Sequence, residues 1–282
     1  MNLLNGKEVS AKVLVQIAQE ARDLSVQPCL AVIIVGDDPA SRIYVNNKKK
    51  ACEQVGFRSL EFALPTETGQ EKLLSLVDEL NRDASVHGIL CQAPLPRGYG
   101  YDERAVCRAI SPAKDVDCFH PETAGKLLLG EAGFLPCTPA GVIALLDDAG
   151  ISLSGKQVVI VGRSNIVGKP MAILALRRDA TVTICHSKTK DLAKITRRAD
   201  ILIAALGKLH FITAEMVKDG AVVIDVGMNR MEGKKVRGDV DFENVAGKCS
   251  FITPVPGGVG PMTIAMLMQN TLTAAKMAAN IC

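Results

Sequence analysis

The chain has 282 residues, 48% of them apolar and 22% charged, a mixture that can bury one large or two modest cores and that excludes a disordered chain. Net charge is only +3, with Lys and Arg interleaved among Asp and Glu, so the basic stripe of a nucleic-acid binder is missing. No apolar run reaches the roughly 20 residues of a membrane span, no basic-then-apolar leader opens the chain, and nine scattered cysteines never fall as CxxC; together these predict a cytoplasmic protein with reduced thiols, no metal, no membrane and no nucleic-acid partner.

In chain order, the apolar run Leu30 to Val35 is the first strong strand signal. Asp38-Pro39 then has the form of an N-cap followed by Pro at the first helical position, and Gly56 that of a C-terminal cap, which predicts a helix over 39–55. Further short runs follow at Gly88 to Cys91, Val158 to Val161, Thr181 to Cys185, Ile201 to Ala205 and Val222 to Val226. They are bounded by Gly, Asp or Pro, as strands buried on both faces are. Helical periods lie between most of them, which predicts right-handed βαβ units, a mostly parallel sheet and the α/β class. Pro136-Cys137-Thr138-Pro139 precedes an apolar helix, and Pro254-Val255-Pro256-Gly257-Gly258 precedes another that runs to the C-terminus. These turns predict two crossings between domains. The expected organisation is a βαβ-rich catalytic domain over 1–138, completed by a helix at 262–282, with an inserted Rossmann-type dinucleotide domain over 139–261 and a cleft between them.

Val158 to Val161 leads into Gly162-Arg163-Ser164-Asn165-Ile166-Val167-Gly168, a strand, a turn with Gly at both ends, and a helix opening near Val167. Backbone N–H groups and the positive end of the dipole at such a helix start favour a phosphate. The spacing is G-x-x-x-x-x-G rather than G-x-G-x-x-G, a weak signal when taken alone. The following strand ends in Cys185-His186-Ser187-Lys188, where an NAD site would place an acid to hold the ribose diol. Arg163, Ser187 and Lys188 offer cations and a hydroxyl instead, which favours NADP over NAD.

On the predicted helix 39–55, Ser41, Tyr44 and Lys48 fall at i, i+3 and i+7 and share a face. The charges of Lys49 and Lys50, added to partial burial of Lys48, are expected to lower its pKa and fit it for proton exchange; the alternative is a solvated basic patch. Gln92 follows a buried strand and precedes the stiff Ala93-Pro94-Leu95-Pro96 loop, placing it where ligands of open α/β sheets bind. An extended backbone through Lys114-Asp115-Val116-Asp117 would turn both carboxylates to one side; otherwise these acids are turn or capping residues.

Tyr44-Val45-x-x-Lys48, the Val86 to Gln92 strand with Pro94-Leu95-Pro96, Lys114-Asp115-Val116-Asp117, Pro136-Cys137-Thr138-Pro139, Val161-Gly162-Arg163-Ser164 and the long string from Pro254 to Thr263 together resemble the bifunctional methylenetetrahydrofolate dehydrogenase/methenyltetrahydrofolate cyclohydrolase family. The likeness runs from about Gly6 to the last helix. It implies NADP-linked oxidation of methylenetetrahydrofolate, hydrolysis of the methenyl product to formyltetrahydrofolate, and a homodimer formed through the nucleotide domain. It also implies that Lys48 is the catalytic lysine, that Tyr44 orients the folate, that Gln92 supports Lys48, and that Asp117 binds the pterin end. Pro256, Gly257 and Gly258 would lie in a loop over the folate. Gly162, Arg163, Ser164, Gly168 and Ser187 would hold the dinucleotide, with Arg163 and Ser187 at the 2′-phosphate. Two positions depart from the family pattern. Ala93 stands where a Leu is usual, which would widen the folate pocket, and Cys118 stands where a Gly is usual, which questions any backbone conformation needing glycine. A single-activity or NAD-using enzyme of the same fold is the alternative, and the retained Tyr44, Lys48, Gln92 and Asp117 speak against lost hydrolysis.

Overall fold

A computed structural model of the chain describes residues 1–131, 133–231 and 236–281. In chain order the elements are β1 (Asn2–Leu3), α1 (Gly6–Arg22), β2 (Cys29–Val35), α2 (Pro39–Val55), β3 (Arg58–Leu64), α3 (Gln70–Arg82), β4 (Gly88–Cys91), α4 (Glu103–Ala109) and α5 (Pro121–Leu129). There follow α6 (Cys137–Asp148), β5 (Gln157–Val161), α7 (Gly168–Leu176), β6 (Thr181–Cys185), α8 (Leu192–Thr196), β7 (Ile201–Ala204) and β8 (Val222–Asp225). The chain closes with β9 (Asn229–Arg230), β10 (Val236–Arg237), α9 (Phe242–Val245), β11 (Phe251–Ile252) and α10 (Val259–Ala278). The six predicted strands are all present, within a residue of their expected ends.

Two compact units result, one of residues 12–137 with 264–282, the other of residues 1–11 with 138–263. Residues 1–11, grouped with the first domain on the sequence, pack in the second unit because β1 pairs in parallel with β11. A two-residue strand carries no periodic signal that could assign it.

The first unit is built on a parallel sheet of order β3-β2-β4. Every residue of β2 is buried, and its pleat divides them between two cores. Leu30, Val32 and Ile34 join Val45, Cys52 and Val55 of α2 and Leu267, Met268 and Leu272 of α10. Cys29, Ala31, Ile33 and Val35 join Leu73, Val77 and Leu80 of α3 and Val106 of α4. The i, i+4, i+7 spacing of the α3 residues gives that helix its buried stripe.

The second unit carries a six-stranded parallel sheet of order β1-β11-β8-β7-β5-β6. Its central strands β7 and β8 are buried throughout. Among the described residues no helix is long and apolar enough to cross a membrane.

Candidate active site

In the first unit α2 positions the lysine. Asp38 caps the helix by accepting the Ser41 N–H at 2.8 Å and the Ser41 hydroxyl at 2.9 Å, Pro39 fills the first turn, and Gly56 closes it at φ +76°. Val45, Cys52 and Val55 anchor the buried face. Lys48 and Tyr44 lie one turn apart at its margin, each half-buried, while Lys49 and Lys50 are exposed. The Lys48 Nζ donates to Gln92 Oε1 at 2.8 Å. Gln92 is held in turn, because its backbone N–H donates to Ile33 O at 2.8 Å as the chain leaves β4, and its side-chain amide donates to Ala93 O at 2.7 Å.

Burial lowers the Lys48 pKa from its ordinary 10.5, opposed chiefly by the nearby Asp117 carboxyl. The expected push from Lys49 and Lys50 is not the cause. Both ammonium groups lie in solvent, where water screens them, and the loss of solvent at Lys48 itself does the work.

Asp115 and Asp117 do not sit on an extended strand. Residues 112–114 and 116–117 form turns, so the two carboxyls part company. Asp115, 2% exposed, accepts the Phe119 and His120 N–H groups at 3.1 and 2.8 Å and is a loop clasp. Asp117 instead joins Lys48 and Cys137 electrostatically, and burial raises its pKa against the pull of Lys48. The turn is tied down just before Asp117. The Ile89 N–H donates to Lys114 O at 2.9 Å, and Val116 O accepts from Asn270 Nδ2 at 2.8 Å and the Cys137 thiol at 3.3 Å. Cys118 takes φ +62°, so the backbone expected of glycine is kept by a cysteine, at a strain on the order of 1 kcal/mol. Cys118 is 6% exposed and packs in the core with Phe134 and Cys137, which offsets that strain. Burial also raises the pKa of Cys137, Cys118 and Cys91, the last to about 12, so these thiols are neutral and poor metal ligands. Among the described residues no His, Cys, Asp and Glu side chains gather as a metal-binding group. Ala93 is exposed, so the smaller side chain opens no buried pocket; its carbonyl is what contacts Gln92.

The second unit holds the glycine turn. Gly162 has φ +137°, and a Cβ there would overlap the Ala205 carbonyl; one on Gly168 would overlap the Gly162 carbonyl. Both positions therefore require glycine. Ser164 Oγ accepts the N–H groups of Val167 and Gly168 at 3.1 and 3.3 Å, so these two amides, expected to be free for phosphate, are already capped. Val161 pairs with Cys185, and the Gly162 N–H donates to Cys185 O at 2.9 Å. This puts exposed Arg163 and exposed Ser187 and Lys188 just beyond the carboxyl ends of adjacent strands. In the same unit the 254–258 loop follows β11. Gly257 has φ +110° and accepts the Lys7 N–H at 3.2 Å, while Gly6 and Gly258 meet so closely that a Cβ on Gly6 would overlap the Gly258 carbonyl. Gly257 and Gly258 are buried and Pro256 is exposed.

Two family models match. Residues 4–117 match the catalytic domain of tetrahydrofolate dehydrogenase/cyclohydrolase, and residues 136–279 match its NAD(P)-binding domain. The chain belongs to the tetrahydrofolate dehydrogenase/cyclohydrolase family. It is 56% identical to the bifunctional protein FolD of Acetivibrio thermocellus, across 99% of this chain and 98% of that one. The crystal structure of the bifunctional FolD methylenetetrahydrofolate dehydrogenase/cyclohydrolase of Campylobacter jejuni superposes with a TM-score of 0.95 at 52% identity, covering 98% and 99% of the two chains. The Trypanosoma brucei methylenetetrahydrofolate dehydrogenase-cyclohydrolase, solved with NADP and an inhibitor, gives 0.92 at 38% identity, covering 98% and 97%. The resemblance drawn from the motifs is thereby borne out.

Within this family member the lysine, glutamine and second aspartate of the motif list come together in one unit, and the glycine turn with Arg163 and Ser187 in the other. Sequence reasoning missed Cys137 as the neighbour of Asp117, Asn270 as the clasp on Val116, and the buried acids Asp225 and Asp239. An acid ending the apolar run Val222-Val223-Ile224 was the available signal for Asp225.

Proposed function

We propose that this chain oxidises 5,10-methylenetetrahydrofolate to the methenyl cation with NADP and hydrolyses that product to 10-formyltetrahydrofolate. The observation that carries the reading is the buried Lys48 amine donating to Gln92 beside Asp117, in a chain of this family. NADP, when bound, accepts the hydride released by the methylene carbon. That step needs alignment of two reactants and no acid or base from the protein. Hydrolysis does need one. Water adds to the methenyl carbon and loses a proton, and the bond from that carbon to N5 breaks as N5 regains one. Lys48, with its pKa lowered by burial, has a free amine closer to neutrality, which suits it to take the proton from water and return it to N5. One N–H of Lys48 is engaged by Gln92 Oε1, which fixes the amine and leaves its lone pair to accept the proton. Tyr44 orients the folate from the same helix face, and Asp117 binds its pterin end.

Gly162 and Gly168, which leave no room for a Cβ, suit a turn approached by a dinucleotide, and Ser164 shapes its helix start. With no acid at the end of β6, Arg163, Ser187 and Lys188 suit a 2′-phosphate. A cytoplasmic homodimer completes the proposal. β6 ends the six-stranded sheet and exposes Ile184, an edge of the kind that a second copy covers, and sedimentation of the purified chain tests it. The enzymatic reading is tested by incubating the protein with methylenetetrahydrofolate and each nicotinamide cofactor while following NADPH and methenyl absorbance separately. NADPH formation followed by decay of methenyl is expected. Accumulated methenyl with no enzymatic decay would leave a dehydrogenase alone.

A further inference from the structure

Two aspartates that no motif singled out lie in the second unit. Asp225 ends β8, and Asp239, two residues past β10, meets the loop leaving the carboxyl end of β7, where ligands of open α/β sheets bind. Asp239 is fully buried and Asp225 is 4% exposed. A buried carboxylate is costly unless its oxygens are satisfied, and both are. Asp239 Oδ2 accepts the N–H groups of Leu206 and Gly207 at 2.6 and 2.9 Å, and its Oδ1 accepts the Lys208 N–H at 2.8 Å and Asn229 Nδ2 at 2.9 Å. Asp225 holds Asp239 in place, accepting the N–H groups of Asp239, Val240 and Gly227 at 3.0, 2.9 and 2.9 Å. Gly227 and Gly238 leave room for the pair, since a Cβ on either would overlap the Asp239 or Asp225 carboxyl.

The segment so clasped, 205–208, leaves β7 beside β5. The Ala205 N–H donates to Val161 O at 2.9 Å, and the Ala205 carbonyl fills the space that a Cβ on Gly162 would need. Three consecutive amides converging on one carboxylate fix this loop against the first glycine of the dinucleotide turn, although the loop has no regular structure of its own.

We propose that Asp239 is a positioning residue for the dinucleotide, with Asp225 as its support, and that the carboxylate sets the 205–208 loop as one wall of the NADP site. This rests on the proposed NADP-linked activity. The prediction is a split between the two chemistries, because hydrolysis of methenyltetrahydrofolate needs no dinucleotide whereas its formation does.

The test uses the full-length enzyme and the variant Asp239→Asn, whose amide nitrogen cannot accept the N–H groups that the second carboxylate oxygen accepts. The KM for NADP should rise about tenfold or more, the loss expected when hydrogen bonds to a charged group are removed, with kcat at saturating NADP and the rate of methenyl hydrolysis each within about threefold of wild type. An unchanged KM for NADP overturns the proposal, as does a parallel fall in hydrolysis, which would mark a residue that only supports the fold. If Asp239→Asn does not fold, Asn229→Ala decides, since it removes one donor to the carboxylate and leaves the carboxylate in place. Faster amide exchange at Leu206, Gly207 and Lys208 with a KM for NADP raised about threefold, as loss of one such bond predicts, supports the proposal. Faster exchange with an unaltered KM overturns it. Wild-type enzyme without NADP-linked oxidation would instead defeat the functional reading itself.

Discussion

The Lys48 cluster and the Gly162 turn solve different chemical problems with different materials. The first is made of side chains drawn from three places in the chain, an α2 lysine, a glutamine leaving β4 and an aspartate in a turn, and burial shifts the proton affinity of the lysine and the aspartate. The second is made of backbone, with two glycines packed against carbonyls and its charged groups left in water. Moving a proton demands groups whose pKa is tuned, and tuning requires desolvation. Holding a dinucleotide demands close approach of main chain and an exposed cation, so the groups that meet the ligand carry no buried charge, and the buried Asp239 carboxylate acts only on the backbone behind them. Substitutions in one region should therefore spare the chemistry of the other.

The largest effect is expected at Lys48. Lys48→Met preserves length and removes the titrating amine, so methenyl hydrolysis should fall roughly 10²- to 10⁴-fold while NADP affinity is unchanged. Hydrolysis near the wild-type rate would break the contrast between the regions. Next comes Gly168→Ala, where the new Cβ meets the Gly162 carbonyl. Backbone strain of this kind should cost NADP affinity about 10- to 100-fold, read by calorimetric titration, with hydrolysis of added methenyltetrahydrofolate kept.

How much of this contrast was legible in the sequence follows from the same physics. Strands buried on both faces must be apolar throughout, so β2, β4, β5, β7 and β8 announce themselves as short runs, and Asp38-Pro39 with Gly56 marks both ends of α2. β6 also shows as a run, but at the sheet edge only its Cys185 is buried, so it is not the doubly buried strand the sequence suggested. β3, half-exposed along an edge, and the two-residue strands β1 and β11 depend on partners far away in the chain. Asp115 and Asp117 look equivalent in sequence, and only the turn at Val116, fixed by Asn270 more than 150 residues later, separates the clasp from the candidate site residue. Asp239 is similarly opaque, because its partners at Leu206, Gly207 and Lys208 lie some 30 positions earlier.

A smaller and more selective effect is expected at Arg163. Arg163→Ala should weaken NADP binding by about tenfold, the worth of a charged hydrogen bond, and leave NAD binding unchanged. Equal losses for both cofactors would remove Arg163 from the 2′-phosphate. The smallest effect belongs to Ala93, because its side chain is exposed. Ala93→Leu should change the KM for methylenetetrahydrofolate by less than about threefold, as surface substitutions do. A larger tightening would mean that the position faces the bound folate ring after all.

The central claim is that burial, opposed by Asp117, sets the proton affinity of Lys48, and the pH dependence of methenyl hydrolysis tests it most directly. Activity that requires the free amine rises with pH through the Lys48 pKa, which burial places below 10.5. The Asp117 charge favours the ammonium form, so removing it lowers that pKa further. In Asp117→Asn, measured at saturating substrate and corrected for uncatalysed hydrolysis, the rising limb should move to lower pH than in wild type. A limb that stays in place, or that moves to higher pH, would contradict the assignment of Lys48 as the proton-handling group.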